Sequence, residues 1–203
     1  MALDISDAAV SVKDAGICLN SIWPWEPSDE ETKLPAKFAD PPSKEAYIDA
    51  LKKRVKLVGR LSPLDPDSWV KELSEGSPIL IAMHVEPGLH ETGLQRKNLY
   101  IPESHNFFGG HAAVIVGFTT EFPMPTHPNG KIPAFKIRNS SGSEWGENGY
   151  IWIPYEILPT LLMEVPYVLK EWNKEETKQE ETKPEIKLEI TDYSQTNITV
   201  FVH

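Results

Sequence analysis

GGHAAVIVGF at residues 109–118 and FKIRNSSGSEWGENGYIWIPY at residues 135–155 are the stretches that decide the fold. The first places His111 at the start of an apolar strand, and the second places Asn139 at the end of another strand, before a glycine-rich turn. Glycines supply the positive φ angles that a tight turn needs, and β-branched and aromatic residues favour the strands around it. We therefore expect residues 109–155 to organise the rest of the chain.

Outside this region, the sequence predicts helices first and strands afterwards. Apolar residues at helical spacing indicate helices at 4–15, 43–54 and 65–75. Strands are expected at 55–61, 77–85, 111–118, 132–138, 149–153 and 166–170, with a helical turn at 155–161. This order is typical of an α+β fold whose strands form an antiparallel sheet or half-barrel.

The same spacing predicts which helix faces are buried. The residues expected to point inward are Ile5, Ala8, Ala9 and Val12 in the first helix, Tyr47, Ile48 and Leu51 in the second, and Trp69, Val70 and Leu73 in the third. Residues 86–108 contain scattered Gly, Pro and polar residues, which indicates a long surface loop with a short strand near Tyr100.

The chain divides into three parts by composition. Residues 1–170 hold the predicted helices and strands, and residues 171–184 form a Glu/Lys-rich linker that we expect to be solvated. In residues 185–203, EIKLEIT and NITVFVH each alternate around β-formers and favour a β-hairpin extension.

Charge and cysteine content exclude several classes of protein. The 203 residues carry a formal charge of −10, which argues against nucleic acid or an anionic membrane as a partner. The acidic N-terminal stretch does not resemble a signal peptide, and no apolar run approaches the ~20 residues of a membrane span. Cys18 is the only cysteine, so no intrachain disulfide or Cys-based zinc cage can form. We therefore expect a soluble protein and favour the cytoplasm.

The chemistry of the central region depends on His111 having a partner. A lone histidine on an apolar strand is more often a hydrogen-bonded core residue than a general base. A base needs a neighbouring group that holds its ring in one tautomer, and the amide oxygen of Asn139 can accept from the imidazole N–H while staying neutral. Both residues together favour a catalytic role over a structural one.

These two stretches resemble the papain family of cysteine peptidases. That family carries a strand opening with His in a Gly/Asp-His-Ala context, and a later strand ending in Asn-Ser-Trp-Gly followed by Trp-Gly-x-x-Gly-Tyr. GGHAAVIVGF and NSSGSEWGENGY match this order, GICLNSIWPW resembles the family's Gly-Ile…Tyr-Pro-Tyr stretch, and SPILIAM resembles the strand before the long loop. The resemblance covers residues 4–170 and implies N-terminal helices packed on a β-barrel or half-barrel lobe.

The resemblance implies roles for individual residues. His111 would be the general base and Asn139 its orienter. Trp145 would form a wall of the site, and the substrate-binding positions would be Gly110, Ala112 and Ala82. No metal or other cofactor is implied.

Two departures from the family pattern bear on activity. Ser141 stands where the family has a tryptophan that shields the Asn–His hydrogen bond, and we expect this bond to be more hydrated and weaker here. The family's Gln…Cys-Gly-Ser-Cys-Trp motif, which supplies the nucleophile and part of the oxyanion hole, is absent from the sequence. We therefore expect the isolated chain to be inactive.

Other candidate sites are weaker. Cys18 as a relocated nucleophile remains an alternative, but it has no cationic neighbour or helix N-terminus to favour a thiolate. His84, His90, His105 and His127 lack HxxxH spacing, so we expect no zinc site, and the sequence has no GxGxxG or GKS/GKT motif.

Two functions follow from these observations. The first is the C-terminal, His/Asn-bearing portion of a papain-like cysteine peptidase, acting on peptide or protein substrates with a nucleophile carried by a separate fragment. The second is a catalytically inactive papain-like module that binds a peptide or a partner protein. In either form, we expect the lobe to be covered by the N-terminal helix and the C-terminal hairpin, or by self-association through an exposed apolar patch.

Overall fold

The computed structural model describes residues 4–24, 40–104, 106–107, 109–172 and 199–201, with backbone alone for residues 172 and 199–201. The chain forms two compact units. One comprises Met1–Val58 with Lys170–Gln179, and the other comprises Gly59–Leu169 with Glu180–His203. The boundaries fall within two strands, β1 (Val55–Arg60) and β6 (Tyr167–Trp172).

The first unit contains α1 (Ile5–Asp14) and α2 (Lys44–Lys52). Each helix begins at a side-chain cap: Asp4 accepts from the Ser6 N–H, and Ser43 accepts from the Ala46 N–H. These caps satisfy backbone donors that a helix leaves unpaired in its first turn.

The predicted inner face of α2 is wrong. Tyr47, Ile48 and Leu51 are each about half exposed, at 51%, 49% and 49%, whereas Ala46 and Ala50 are buried. The chain after α1 approaches α2 closely at Gly16, because a Cβ there would lie 1.8 Å from the Ala50 carbonyl oxygen. No side chain would fit at position 16.

The second unit is built on an open antiparallel sheet, and its elements are α3 (Pro66–Ser74), β2 (Ile79–Val85), α4 (Pro87–Leu94), β3 (Gly109–Pro123), β4 (Lys131–Arg138), β5 (Tyr150–Pro154), α5 (Leu158–Leu161), β6 and β7 (Thr199–Phe201). The strands follow the order β6-β2-β3-β4-β5, and β7 pairs with β3. This path does not return on itself among the described strands, so the predicted α+β class is confirmed in its half-barrel form. The first strand of the predicted C-terminal hairpin, and residues 173–198 as a whole, lie outside the described residues.

Helix α3 packs on the sheet as its apolar spacing predicts. Trp69 and Leu73 are fully buried, and the ring centroids of Trp69 and Phe135 are 5.5 Å apart. The indole N–H of Trp69 donates to the Ser62 carbonyl at 2.9 Å, which satisfies the one polar atom that its burial takes from water. The helix therefore joins the main core of the unit, whose sheet residues come from β2 to β6.

The predicted loop at residues 86–108 contains a helix that the sequence analysis missed. Residues 87–94 form α4, with Pro87 in its first turn, and Leu89 and Gly93 are its buried residues. Pro lacks an N–H and has its φ preset, so the first turn of a helix is the position that accepts it. Near Tyr100, the predicted short strand is a single bridge between Leu99 and Trp152.

Strand β3 is longer than predicted and continues into a hairpin with β4. The two strands are paired from Val114–Arg138 to Pro123–Lys131, with two register irregularities on the way. The connection is closed by the Met124 N–H donating to the Gly130 carbonyl at 2.9 Å. Among the described residues, no helix has the length and apolar character needed to cross a bilayer.

Candidate active site

The strands β3 and β4 bring His111 and Asn139 together. His111 lies opposite Met83 of β2, and Asn139 directly follows the last residue of β4, Arg138, which pairs with Val114 of β3. The His111 Nε2 atom is 2.9 Å from Asn139 Oδ1, and both side chains are half buried. The antiparallel pairing of β3 with β4 thus brings together two residues that are 28 positions apart in the sequence.

The hydrogen bonds around Asn139 indicate the tautomer of His111. Asn139 Oδ1 also accepts from the Ser140 backbone N–H at 2.7 Å, which can only donate, so the oxygen of the amide must face both groups. Nε2 of the neutral ring must then carry the proton, and Nδ1 is left with its lone pair. In the described part of the chain, Nδ1 has no hydrogen-bond partner, so it is open to accept a proton.

The turn after Asn139 places Trp145 beside the pair. The turn is closed by the Gly149 N–H donating to the Trp145 carbonyl at 2.7 Å and by the Asn139 N–H donating to the Gly149 carbonyl at 3.0 Å. Gly146 has a φ of +56°, and a Cβ there would lie 2.2 Å from the Tyr150 carbonyl oxygen. Only glycine fits this position, because both the φ and the space exclude a side chain.

Helix α4 holds the turn from the other side. Trp145 is 3% exposed, and its ring packs so tightly on Gly93 that a Cβ at position 93 would lie 1.8 Å from Trp145 Cε2. The Gly146 N–H donates to the Gly93 carbonyl at 2.8 Å, and the Arg96 guanidinium pairs with the Glu144 carboxylate. The helix end and the turn therefore form one connected structure.

A cavity of about 130 Å³ opens between α4 and this turn, and its lining residues are Val85, Glu86, Leu89, His90, His111, Asn139, Ser141 and Trp145. A second, apolar cavity of about 10 Å³ touches the same His111 and Asn139 side chains from the core side. The pair thus has an open side that faces the larger cavity and a closed, apolar side that faces the core.

Glu86 is a buried carboxylate in this cavity wall, only 4% exposed. It accepts from Tyr100 Oη at 3.2 Å, from the Glu103 N–H at 2.8 Å, and from the Ser104 N–H and Oγ at 3.2 and 2.7 Å. Burial alone would raise the pKa of Glu86, but the hydrogen bonds from Ser104, Glu103 and Tyr100 outweigh it and lower the pKa. The same contact, after burial itself, raises the pKa of Tyr100. Glu86 therefore stays charged and ties residues 100–104 to the start of α4.

Of the predicted substrate-binding positions, Trp145 lines this cavity, whereas Ala82, Gly110 and Ala112 lie outside its lining. Ala82 and Ala112 face each other across β2 and β3; Ala82 is buried and Ala112 is exposed. Gly110 is exposed, and a Cβ built at this position would lie 2.6 Å from the Met163 sulfur. Their role in substrate binding stays a prediction.

Val85, Glu86, Leu89 and His90 are the cavity residues to which the sequence analysis gave no role in this site. The signal was present in Glu86-Pro87, since a proline that follows a strand end is well placed in the first turn of a helix. Cys18 is half buried in the first unit, in the loop that follows α1, and not at a helix N-terminus. Within the described ranges, no group of three or more His, Cys, Asp or Glu could hold a metal ion.

Comparison with solved structures identifies the class of fold. The chain is similar to xylellain, a cysteine protease from Xylella fastidiosa, with 25% identity and a TM-score of 0.61 over 82% of this chain and 60% of that one. It is also similar to digestive procathepsin L2 from Tenebrio molitor, with 21% identity and a TM-score of 0.56 over 81% of this chain and 46% of that one. The clostridial cysteine protease Cwp84 gives 19% identity and a TM-score of 0.57 over 86% and 41%.

The sequence itself matches a family model. The model of the papain family cysteine proteases matches residues 6–160, which is most of the chain. The chain therefore belongs to the papain family of cysteine proteases. It spans 60% of the length of xylellain, and none of the curated proteins compared with it gives a match.

Proposed function

We propose that this chain is the His/Asn-bearing portion of a cysteine peptidase, which hydrolyses peptide bonds with a thiolate supplied from outside this sequence. The observation that supports it is the 2.9 Å contact between His111 Nε2 and Asn139 Oδ1, which leaves Nδ1 able to accept a proton. Family membership supports the same reaction class. Peptides or proteins would be the substrates.

The proposed mechanism follows from the direction of these hydrogen bonds. A cysteine thiol placed near Nδ1 would transfer its proton to His111, and the resulting thiolate would attack the peptide carbonyl. The imidazolium would then give its proton to the leaving amine, and water, with His111 again as base, would hydrolyse the acyl-enzyme. Asn139 would hold the ring throughout while staying neutral.

Reconstitution with a nucleophile-bearing segment tests this function. The full chain is mixed with the cognate segment that carries the Gln…Cys-Gly-Ser-Cys-Trp motif, and hydrolysis of a fluorogenic peptide is measured. We expect activity with the native segment and none when its cysteine is replaced by alanine. His111→Ala should abolish activity, whereas His90→Ala, an exposed histidine of the same cavity, should keep most of it. Failure of every cognate segment to restore activity would sink the proposal.

The second candidate is a catalytically inactive module that binds a peptide or a partner protein in the same cleft. Ser141 favours it, because the side chain that would cover the Asn139–His111 contact is small and exposed. Calorimetric titration of the isolated chain with peptides distinguishes it from the first: tight binding without any hydrolysis in the reconstituted mixture supports the module. Labelling of Cys18 by a thiol reagent that also abolishes hydrolysis would overturn it.

The partner differs between the two candidates. A peptidase requires the separate nucleophile-bearing fragment, whereas a binding module can occur alone or as a self-associated form. Sedimentation of the chain with and without the fragment measures which complex forms. A mixed complex of one copy of each is the result expected from the first candidate.

A further inference from the structure

The cavity of about 130 Å³ beside His111 has room for one aromatic ring. Benzene occupies an apolar cavity of about 150 Å³, whereas the second cavity at this site, of about 10 Å³, is no larger than a single water needs. Ser141 lines the larger cavity and has an exposed side chain. Since the papain-family pattern has a tryptophan at this position, an open space here is a feature of this chain and not of the pattern.

The walls of this cavity suit an aromatic group. Three of its eight lining side chains are rings, those of His90, His111 and Trp145. Aromatic rings attract one another in offset and edge-to-face arrangements, beyond the gain from burial alone. Val85 and Leu89 supply aliphatic contacts. A flat apolar group in the cavity would therefore be in contact with rings and with aliphatic side chains.

Glu86 does not make this cavity a site for a basic group. Each of its two carboxylate oxygens already accepts two hydrogen bonds, one oxygen from Tyr100 Oη and the Glu103 N–H, the other from the N–H and Oγ of Ser104. A carboxylate has about four lone-pair positions, so all of them are used. An ammonium or guanidinium group that entered the cavity would lose water and gain no hydrogen bond from Glu86.

The position of the cavity relates it to one residue of the substrate. In the proposed mechanism, the imidazolium of His111 gives its proton to the leaving amine, so this nitrogen must come within about 3 Å of the ring. The side chain of the residue that carries the amine branches from the next atom, the Cα. Because His111 is itself a wall of the cavity, that side chain would lie within reach of the cavity.

We propose that this cavity binds the side chain of the substrate residue that carries the leaving amine, and that Ser141 makes the site select phenylalanine or tyrosine there. This selection rests on the proposed function and adds a substrate class to it, namely peptides with an aromatic residue directly after the bond that is cut. Ser141 acts by leaving the space open, so a large side chain at position 141 would close it.

Amides of single amino acids test the cavity without any hydrolysis, since each has the amine and the side chain of a product. The full chain, labelled with ¹⁵N and ¹³C, is titrated with L-phenylalaninamide, L-alaninamide and L-lysinamide, and the signals of Trp145 and Leu89 are followed by NMR. Burial of a phenyl ring should make L-phenylalaninamide bind at least about tenfold more tightly than L-alaninamide. L-lysinamide should bind no more tightly than L-alaninamide. Equal affinities for the phenylalanine and alanine amides, or tighter binding of the lysine amide than of the phenylalanine amide, would overturn the proposal.

Two tryptophan variants test the role of Ser141. Ser141→Trp should weaken the binding of L-phenylalaninamide about tenfold, to the level of L-alaninamide. Ser143→Trp adds the same ring at an exposed serine of the same turn that does not line the cavity, and should keep the wild-type affinity. Thermal unfolding checks that both variants are folded, and Ser141→Leu is the smaller replacement if the indole prevents folding. An unchanged affinity in the folded variant at position 141 would show that the amide binds elsewhere and would overturn the proposal.

Hydrolysis by the reconstituted mixture separates this proposal from the proposed function. Quenched peptides that differ only in the residue after the cleaved bond should give a kcat/KM about tenfold higher for phenylalanine than for alanine, and Ser141→Trp should remove the difference. Restored hydrolysis without this preference would leave the function standing and overturn the proposal. Selective binding of L-phenylalaninamide, with no segment restoring hydrolysis, would support the aromatic site and overturn the peptidase function.

Discussion

Gly93 of α4 lies against the indole of Trp145, and a Cβ at position 93 would stand 1.8 Å from Trp145 Cε2. The same pair of segments shares the hydrogen bond from the Gly146 N–H to the Gly93 carbonyl. The absence of a side chain at one helical position thus allows the turn after Asn139 to dock on α4.

We therefore expect Gly93→Ala to destabilise the protein by about 3 kcal/mol, since the methyl group must displace a buried ring. Urea unfolding followed by tryptophan fluorescence measures this. Gly88→Ala on the same helix is the matched control, because its nearest contact would be an ordinary 3.4 Å from Glu86 Oε1. That variant should be unchanged or up to about 1 kcal/mol more stable through helix propensity. Equal unfolding midpoints for the two variants would contradict the close packing.

Gly146 and Gly142 provide a second matched pair, within the turn itself. Both have positive φ, at +56° and +79°, but a Cβ at 146 would meet the Tyr150 carbonyl oxygen at 2.2 Å, whereas a Cβ at 142 would meet nothing within 4 Å. Gly142→Ala should cost about 1 kcal/mol from backbone strain alone, and Gly146→Ala should cost at least about 3 kcal/mol. Thermal unfolding compares them. Equal losses in the two variants would show that the φ angle, and not the Tyr150 backbone, limits position 146.

Glu86→Gln should lower the free energy of unfolding at neutral pH, and this loss should shrink as the pH falls. The pKa of Glu86 is lowered in the folded chain, so its contribution is present above the unfolded value of about 4.3 and is lost as the pH falls through the folded value. At pH 7 we expect a loss of about 2 kcal/mol, because a buried charged acceptor of four hydrogen bonds is replaced. Denaturant unfolding between about pH 3 and about pH 7, the range over which carboxylates titrate, measures the difference.

Glu91→Gln is the control for this titration. Glu91 is an exposed carboxylate on the same helix, so its replacement should change stability by less than about 0.5 kcal/mol at any pH. If the difference in unfolding free energy between the wild type and Glu86→Gln stayed the same at about pH 3, the effect would come from the packing of the side chain and not from its charge.

Tyr155 and Asp67 should be energetically coupled. The Tyr155 hydroxyl donates to Asp67 Oδ1 at 2.5 Å, and its ring stacks on Phe135 at a centroid distance of 5.4 Å. Tyr155→Phe keeps the ring and removes the bond, so a double-mutant cycle with Asp67→Asn should give a coupling of about 1 kcal/mol for this exposed contact. Additive effects in the cycle would contradict the bond.

The same contact predicts a loss of stability in alkali. Burial, followed by the hydrogen bond to Asp67, raises the pKa of Tyr155 above its usual value. Its contribution is therefore complete below the unfolded value of about 10 and is lost as the pH rises through the folded value. Tyr155→Phe should reduce the alkaline decline in unfolding midpoint, and Tyr47→Phe, at a half-exposed ring of the first unit, should not.

The order of elements was predictable because the apolar periodicity agreed with local start and stop residues. In α3, the Asp65 cap, the buried Trp69 and Leu73, and Gly76 with its φ of +79° all point to the same helix. The paired His111 and Asn139 were found for a different reason, since each marks the end of a strand beside glycines. The local sequence was sufficient to predict a helix or strand whose start, end and buried face are all marked by its own residues.

The errors arose where packing between elements decides the outcome. The alanines of α2 are buried and its larger apolar residues are half exposed, and the chain at Gly16 passes so close to the Ala50 carbonyl that only glycine fits at position 16. Helix α4 is short and has no side-chain cap, and Glu86 gives its carboxylate to residues 100–104 instead. Neither the close approach nor the distant partners of Glu86 can be derived from spacing along the chain.

The strand pairing that joins His111 to Asn139 lies entirely within the second unit of the chain. The orientation of the imidazole is consequently a product of the folding of that sheet, with both residues anchored at strand ends on a buried core. A thiol on another segment would therefore bind next to a His111 ring whose orientation is already fixed, and its binding would not have to immobilise the ring. Under the proposed function, the entropy lost on assembly would then fall on the incoming segment, and this chain would be the preorganised half of the site.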